Sequence, residues 1–444
     1  MIYYVLSQGE NGYTKMTAQI VSQTNGELTI QVKVSLKETL LESEQSIVEC
    51  VNQVGVLATA EALKQFDTDG APIVVEDVKL TARGKNAKEY QSPYGPVRVD
   101  RHVYQTSKGG HIYVPLDSGA RIIQGATPRF AKILSHKYSN LAAPCVIEDL
   151  VENHERHIAI SYLQKVTDYV GCIAQAKEER WEYESLLLDH PVSTIGISLD
   201  GAYVLTVEEG YGEAMVGTIT RYDSQGNRQH TIYVAASPEY GKETFFERFE
   251  REIVRTKALY PGAQTVGIAD GAQDNWSFLK KHTSKHILDF WHATEYLSEA
   301  SQALFPKKSE TVAREQWLTQ RCHDLKHKKG AAGRILDELK QGTEKRLSQR
   351  LKEKLDAAMT YFKNNIKAGR MKYHLHIKNH LPIGSGVVEA ACKTIVKQRL
   401  GGSGMRWKQR GIKMVLSLRT LVKTKGRWSQ FWEKINFSGV PVVG

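Results

Sequence analysis

Two runs constrain this chain more than anything else in it: ThrIleGlyIleSerLeuAspGly at 194–201 and GlnThrValGlyIleAlaAspGly at 264–271. Each is short, rich in β-branched and small apolar residues, and stopped by Asp-Gly, the pattern of a strand buried in a sheet. Between them, AlaMetValGlyThrIleThrArgTyrAsp (214–223) and ArgGlnHisThrIleTyrValAla (228–235) read as two further strands joined by the turn SerGlnGlyAsn. An amphipathic helix from about Lys242 to Leu259 follows. After 271 comes a short helix capped by Asp274 or Asn275, then a strand at HisIleLeuAspPhe (286–290). The order β-β-β-α-β-α-β predicts a mixed α/β sheet, with Asp200 and Asp270 ending its first and fourth strands. Ligand sites in such sheets gather at strand ends. Taken singly, each aspartate is equally a turn acid, because Asp-Gly is a common turn dipeptide.

A third acid stands out for a different reason. From Lys363 to Arg427 the chain carries sixteen Lys and Arg residues, and Glu389 is the only acid among them. Ordinary surfaces intersperse charges of both signs, so a lone carboxylate in a basic field reads as a site: the bases hold a polyanion and the acid holds a cation against it. Its setting, ProIleGlySerGlyValValGluAlaAlaCysLys (382–393), predicts a helix with Ser385 as N-cap. Val388, Ala391, Cys392 and Ile395 form one apolar stripe, and Glu389, Lys393 and Lys397 lie on another face. The plainer reading is a first-turn glutamate favoured by the helix dipole and by pairing with Lys393.

At 444 residues the chain is long enough for two to four domains. Its net charge of +11 is concentrated toward the C-terminus and favours nucleic acid over a small acidic substrate, with a membrane surface the weaker option. No run approaches the roughly 20 apolar residues of a membrane span, and the first residues lack a secretory pattern. Five scattered cysteines (Cys50, Cys145, Cys172, Cys322, Cys392) never form CxxC. They fit reduced thiols in a cytoplasmic protein and argue against a thiolate zinc site.

Residues 1–126 read as a small α+β module. It has a hairpin at Asn25-Gly26, a helix from about Glu42 to Phe66, and strand alternation at Val97, Val99 and Val103 before a turn at Gly109-Gly110. Residues 127–190 read as helical, starting at Thr127-Pro128. The pieces ValIleGluAspLeuValGlu and IleSerTyrLeuGlnLysValThrAspTyrVal, joined by a short polar link, fit a helix-turn-helix with Ser161–Tyr169 as recognition helix, although helical hairpins also occur in proteins that touch no DNA. The α/β core occupies 191–290, a helical insertion 291–380, and the acidic helix with its basic tail 381–444.

Asp200, Asp270 and Glu389 together suit a hard cation, which takes carboxylate oxygens. Two Mg²⁺ ions about 3.5–4 Å apart can activate an attacking oxygen and stabilise a leaving one in phosphodiester chemistry. HisAspLeuLysHis (323–327) mimics a zinc-hydrolase pair, but it has Asp where a glutamate base is expected and lysines around it, so it reads as a solvated helix face. Trp276, Trp291, Trp317 and Trp407 read as core residues, with Trp407, between Arg406 and Lys408, the one expected to touch DNA.

Four segments carry a resemblance: IleSerLeuAspGly (197–201), GlyIleAlaAspGlyAlaGlnAspAsnTrp (267–276), IleLeuAspPheTrpHisAlaThrGluTyrLeu (287–297), and LeuProIleGlySerGlyValValGluAlaAlaCysLys continuing to GlnArgLeuGlyGlySerGlyMetArgTrp (381–407). With these the chain resembles bacterial insertion-sequence transposases of the DDE type, the ISKra class related to the Mutator-like group, strongly over roughly its last 250 residues. The resemblance implies a ribonuclease H-like catalytic domain with a helical insertion, preceded by the β module and the helical segment. It implies Asp200, Asp270 and Glu389 as catalytic and metal-holding residues with two Mg²⁺ or Mn²⁺ ions, and Asp289 and His292 of an AspxxHis motif as their support. DNA would lie on Lys393, Lys397, Arg399, Arg406 and Trp407, with a homodimer or larger assembly joining two DNA ends. Relatives often carry a cysteine zinc ribbon before the helical segment; no cysteine lies between Cys50 and Cys145, so no zinc is expected. A domesticated DNA-binding protein that no longer cuts, or another ribonuclease H-like nuclease, are the alternatives.

Overall fold

A computed structural model describes residues 18–177, 182–343 and 347–439. It is mixed α/β and divides into two compact units. One takes in the chain up to Trp181 and again from Ser429; the other runs Glu182–Trp428.

In the first unit, strands β1 (Ala18–Thr24) and β2 (Glu27–Val32) form the expected hairpin. Asn25 and Gly26 both have positive φ (52° and 82°), the backbone that a two-residue hairpin turn demands. A helix, Leu40–Lys64, starts where the Thr39 side chain accepts the Glu42 N–H. It packs on an antiparallel sheet of β3 (Ile73–Val75), β4 (Val78–Ser92), β5 (Gly95–Thr106) and β6 (Gly109–Tyr113), in that order. Ala60 and Leu63 of the helix meet Tyr90, Val97 and Val99 there. Helices Pro128–Asn140, Ala143–His154 and Ile160–Lys177 follow. Glu155, with φ 51°, closes the second of these.

The second unit holds a five-stranded sheet: β7 (Thr194–Thr206), β8 (Gly210–Tyr222), β9 (Arg228–Ala236), β10 (Gln264–Ala269) and β11 (Lys285–Leu288). The order across it is β11-β10-β7-β8-β9. The first three strands form an antiparallel meander, while β10 runs parallel to β7 and β11 parallel to β10. The first strand corrects the sequence expectation. It does not end at Asp200 but continues to Thr206, because its antiparallel pairing with β8 holds as far as Thr206 and Gly210. Its parallel neighbour β10 stops earlier, its last partner pair being Ile268 and Ser198. Asp200 therefore lies inside a strand, at the point where one flank of that strand becomes free.

The helix Glu243–Leu259 covers the meander. Phe249 lies flat on Gly217, where an added methyl would come within 2.6 Å of the ring. The helix Gln273–His282 connects β10 to β11 and has Ala272 at its cap position, with no side-chain cap. The expected cap at Asp274 or Asn275 thus falls inside the first turn, and the N–H of Ala272 is taken by Asp270 Oδ1 (3.2 Å). The helices Phe290–Leu304, Thr311–His327, Ala331–Gly342, Gln349–Lys367 and Tyr373–Lys378 follow, in line with the helical reading of this stretch. Leu297, Leu325, Ile335, Leu355 and Phe362 of these helices belong to the same apolar core as Ile197, Val266 and Ile287 of the sheet. Trp276 is fully buried, with the Arg370 guanidinium 3.8 Å over its ring.

Candidate active site

The register of the parallel strands places three aspartates level with one another. Ser198 pairs with Ile268 and Ala269 with Leu288. Continuing each ladder sets Asp270 beside Asp200 on one flank and beside Asp289 on the other, on strands spaced about 4.8 Å apart. Each is tied to local backbone: Asp200 Oδ1 accepts from Gly201 N (2.7 Å) and Asp270 Oδ1 from Ala272 N. Asp289 Oδ1 accepts from Trp291 N (2.5 Å) and His292 N (3.2 Å), capping the helix Phe290–Leu304. Behind Asp270, the Tyr361 hydroxyl donates to its carbonyl, and the Tyr361 ring packs on Gly271, whose φ of 122° and lack of Cβ leave room for it.

Glu389 arrives from the far end of the chain on the helix Gly386–Ala391. The apolar stripe is as expected: Val388, Ala391, Cys392 and Ile395 are buried, and Glu389, Lys393 and Lys397 are exposed. Ser385 stands at the N-cap position as expected, but its side chain makes no capping bond to the helix backbone. Its hydroxyl instead bonds Asp289 Oδ2 and Glu389 Oε1 (2.6 Å), while its backbone N–H donates to Asp289 Oδ2 (2.6 Å). A hydroxyl has a single proton, so Ser385 serves one carboxylate at a time and ties the Glu389 helix to the tip of β11. One helical turn beyond Glu389, the Cys392 thiol donates to Asp200 Oδ2 (3.6 Å). The same helix is thereby fixed to β7.

The tightest group of ligand atoms differs from the expected triad. Asp289, His292 and Glu389 each offer one such atom within 4.8 Å of the others. Asp200, Asp270 and Glu389 do not form a group that compact. Asp289 and His292, expected as support, thus share a group with Glu389, and Ser385 bonds both carboxylates.

Electrostatics join all of these side chains. Burial raises the pKa of Asp200, and the charge of Asp270 adds to the rise. Burial alone would raise Asp289 as well, but hydrogen bonds from His292 and Ser385 outweigh it and hold the carboxyl at about 2. His292 is raised to about 9, first by Asp289 and, against the effect of burial, by the charges of Asp289, Glu295 and Asp270. Its Nδ1 lies 3.9 Å from Asp289 Oδ2, an ion-pair separation rather than a hydrogen bond. At neutral pH the cluster thus contains an imidazolium among carboxylates. Burial and the Asp200 charge push the Cys392 thiol up, so it remains a protonated donor.

Beyond Glu389 the helix opens into a π turn, Cys392–Lys397. Such turns leave carbonyls without their usual α-helical partners. Here Arg419, 2% exposed, donates Nε to Ile395 O (2.9 Å) and Nη2 to Thr394 O. Nothing in the sequence signalled this buried guanidinium.

The expected DNA contacts divide. Lys393, Lys397 and Arg406 are exposed. Arg399 is not: it is buried, with its guanidinium 4.9 Å over the Trp407 ring. Trp407 is half-buried; its Nε1 donates to Leu400 O and its backbone pairs with Leu205 and Val207, extending β7. Trp291, expected in the core, is 62% exposed beside Gly384 at the edge of the acidic cluster. Its position after the capping Asp289 turns it out of the core stripe of Phe290, Ala293 and Leu297. The 323–327 segment is a helix face on which Asp324 is paired by Lys328 (2.8 Å) and Arg321 (3.1 Å).

Set against family models and curated proteins, the sequence finds no match. Among the described residues, no helix is long and apolar enough to cross a membrane.

Proposed function

We propose that the chain is a transposase of the DDE type, cutting DNA at the ends of an insertion sequence and joining the freed ends to target DNA. The observation that carries this reading is the level row of Asp200, Asp270 and Asp289, with the Glu389 helix bonded to both sides of the row through Ser385 and Cys392. The strand order β11-β10-β7-β8-β9, with three antiparallel and then two parallel strands, supports a ribonuclease H-like catalytic domain.

The donor set is carboxylate oxygen, which suits Mg²⁺ or Mn²⁺. Asp200, Asp270 and Glu389 would hold the ions, with Asp289 as a neighbouring donor, and divalent charge there would lower the barrier to attack at phosphorus. The protein's own residues do the rest. Ser385 and Cys392 keep the acids oriented, as outer partners of ligating carboxylates do. His292, as imidazolium, offsets the carboxylate charge so that a phosphodiester can approach. Lys393, Lys397 and Arg406 carry the flanking backbone. In the first reaction a water oxygen bonds to phosphorus and the 3′-oxygen leaves as a hydroxyl. In the second, that hydroxyl bonds to a target phosphorus and displaces the target's 3′-oxygen. Two ends cut together require at least a homodimer on DNA, and work on chromosomal DNA places the protein in the cytoplasm.

The deciding experiment is Glu389→Gln beside Asp270→Asn. Both should bind end DNA like the parent and lose Mg²⁺-dependent cleavage by at least about 10³-fold, the scale for loss of a preorganised charge. Full cleavage by either variant overturns the assignment. Hydrolysis without strand-transfer products would instead indicate another nuclease on the same scaffold, and a parent that binds without cutting would indicate a domesticated DNA-binding protein.

A further inference from the structure

At the other end of the sheet, the second unit contains a cavity that the acidic site does not use. On β8, Arg221 pairs with Ile195 whereas Val216 pairs with Asp200, so the two places are about 17 Å apart along the strands. Arg221 points from β8 toward the helix Glu243–Leu259 and is 2% exposed. Its Nη1 donates to Ser185 Oγ (2.5 Å) and Tyr260 Oη (2.8 Å), and its Nη2 to His230 Nδ1 (2.5 Å). All three acceptors are neutral, since burial and the adjacent Arg221 charge lower His230 to about 4. Nε, buried, has no partner. Among the described residues no carboxylate forms an ion pair with Arg221. The nearby Glu252 is engaged by Arg427 (2.6 Å) and Arg255 (3.8 Å). A buried charge without a counter-charge is strongly disfavoured.

Beside this guanidinium lies a cavity of about 40 Å³, lined also by His230, Glu252, Arg255, Lys425 and Arg427. That exceeds the roughly 10–15 Å³ one water needs. Four cationic side chains line it against two acids, Glu184 and Glu252, and Arg255 also pairs with Glu182 (3.3 Å). A buried guanidinium whose Nε donor has no partner is well matched to an oxyanion. The cavity also gathers both ends of the second unit. Tyr183, Ser185 and Leu186 follow its first residue, Glu182, and Thr424, Lys425 and Arg427 precede its last, Trp428. His230 Nε2 bonds Lys425 O (3.2 Å), and Leu186 packs on Gly426.

We propose that this cavity binds one phosphate-like oxyanion on Arg221, Arg255, Lys425 and Arg427, and that its occupancy fastens both ends of the second unit, 183–186 and 424–427, to the sheet. The site does not depend on the transposase reading. Its ligand is a tetrahedral phosphate, supplied free or by a DNA backbone.

The test uses the full chain in chloride buffer and compares inorganic phosphate with sodium chloride at equal ionic strength. Phosphate should raise the melting temperature progressively with the logarithm of its concentration, where chloride does not, and should slow proteolysis after Leu187 by about tenfold at about ten times its dissociation constant, the extent expected when a ligand binds only the form with 183–186 fastened to the sheet. Arg221→Gln should abolish both effects. Arg255→Gln and Lys425→Gln alter more accessible groups and should each weaken phosphate binding several-fold, which keeps the test valid if Arg221→Gln fails to fold. Phosphate acting no differently from chloride, or parental affinity in Arg255→Gln and Lys425→Gln, overturns the proposal. Displacement of bound phosphate by a short DNA duplex assigns the ligand to DNA; no displacement assigns it to free phosphate.

Discussion

Cys392 Sγ lies 3.6 Å from Asp200 Oδ2, joining two residues 192 positions apart. The thiol is buried and protonated, so it orients the carboxylate without competing for a cation. Cys392→Val keeps the volume and removes the donor. The variant should need about tenfold more Mg²⁺ for half-maximal cleavage, the lower end of the range for losing an outer partner of a ligand. Cys392→Ser should restore most of the affinity. A metal titration of DNA cleavage, with DNA binding measured in parallel, checks this.

Arg419 fills the two carbonyls opened by the π turn. Arg419→Met leaves both unpartnered, at about 1–3 kcal/mol for each buried group. Urea unfolding should show a loss of that order. Arg419→Lys, with one donor head in place of a fork, should fall between the variant and the parent. The cleavage rate should drop further than stability alone explains, because the turn sets the register between Glu389 and the bases at 393 and 397.

Trp291 exposes most of its indole at the edge of the acidic cluster, touching Phe290 and Gly384 with the rest. Trp291→Ala should leave the melting temperature unchanged. It should weaken binding to DNA with an unpaired base near the scissile phosphate by about 1–3 kcal/mol, the worth of one stacked base, and fully paired duplex by much less. Trp291→Phe should recover part of the loss. Equal binding of both DNAs by the alanine variant would remove the indole from the DNA path.

In chelator, the three histidines with the largest shifts contribute to the pH dependence of stability in opposite directions. His292 is raised from 6.5 to about 9; its contribution is complete below pH 6.5 and is lost as pH rises through about 9. His230 and His376 are lowered from 6.5 to about 4, chiefly by burial; their contributions are present above pH 6.5 and are lost as pH falls through about 4. Stability measured by denaturant titration should therefore fall on both sides of a maximum near pH 6–7. His292→Gln should flatten the alkaline limb and leave the acid limb. The alkaline limb should be the smaller, because His292 is partly exposed and solvent screens its charge.

What the sequence determined by itself is whatever local pattern controls. The β-branched and small apolar runs of 194–201 and 264–271 gave buried strands in a mixed sheet, although only the second stops at its Asp-Gly. Asn25-Gly26 gave the hairpin, the 3.6-residue spacing gave the helix faces around Glu389, and the charge imbalance singled out that glutamate. The remaining features depend on contacts between distant segments. Strand β7 runs past Asp200 because β8 pairs with it. Ser385 holds the N-cap position but gives its hydroxyl to Asp289, because β11 ends there. Arg399 is buried because Trp407 folds over it, and Trp291 is exposed because Asp289 caps the preceding turn. Arg221 and Arg419 read as surface bases in a list of residues; burial, which no local spacing encodes, makes one a brace and the other a charge in need of a counterion.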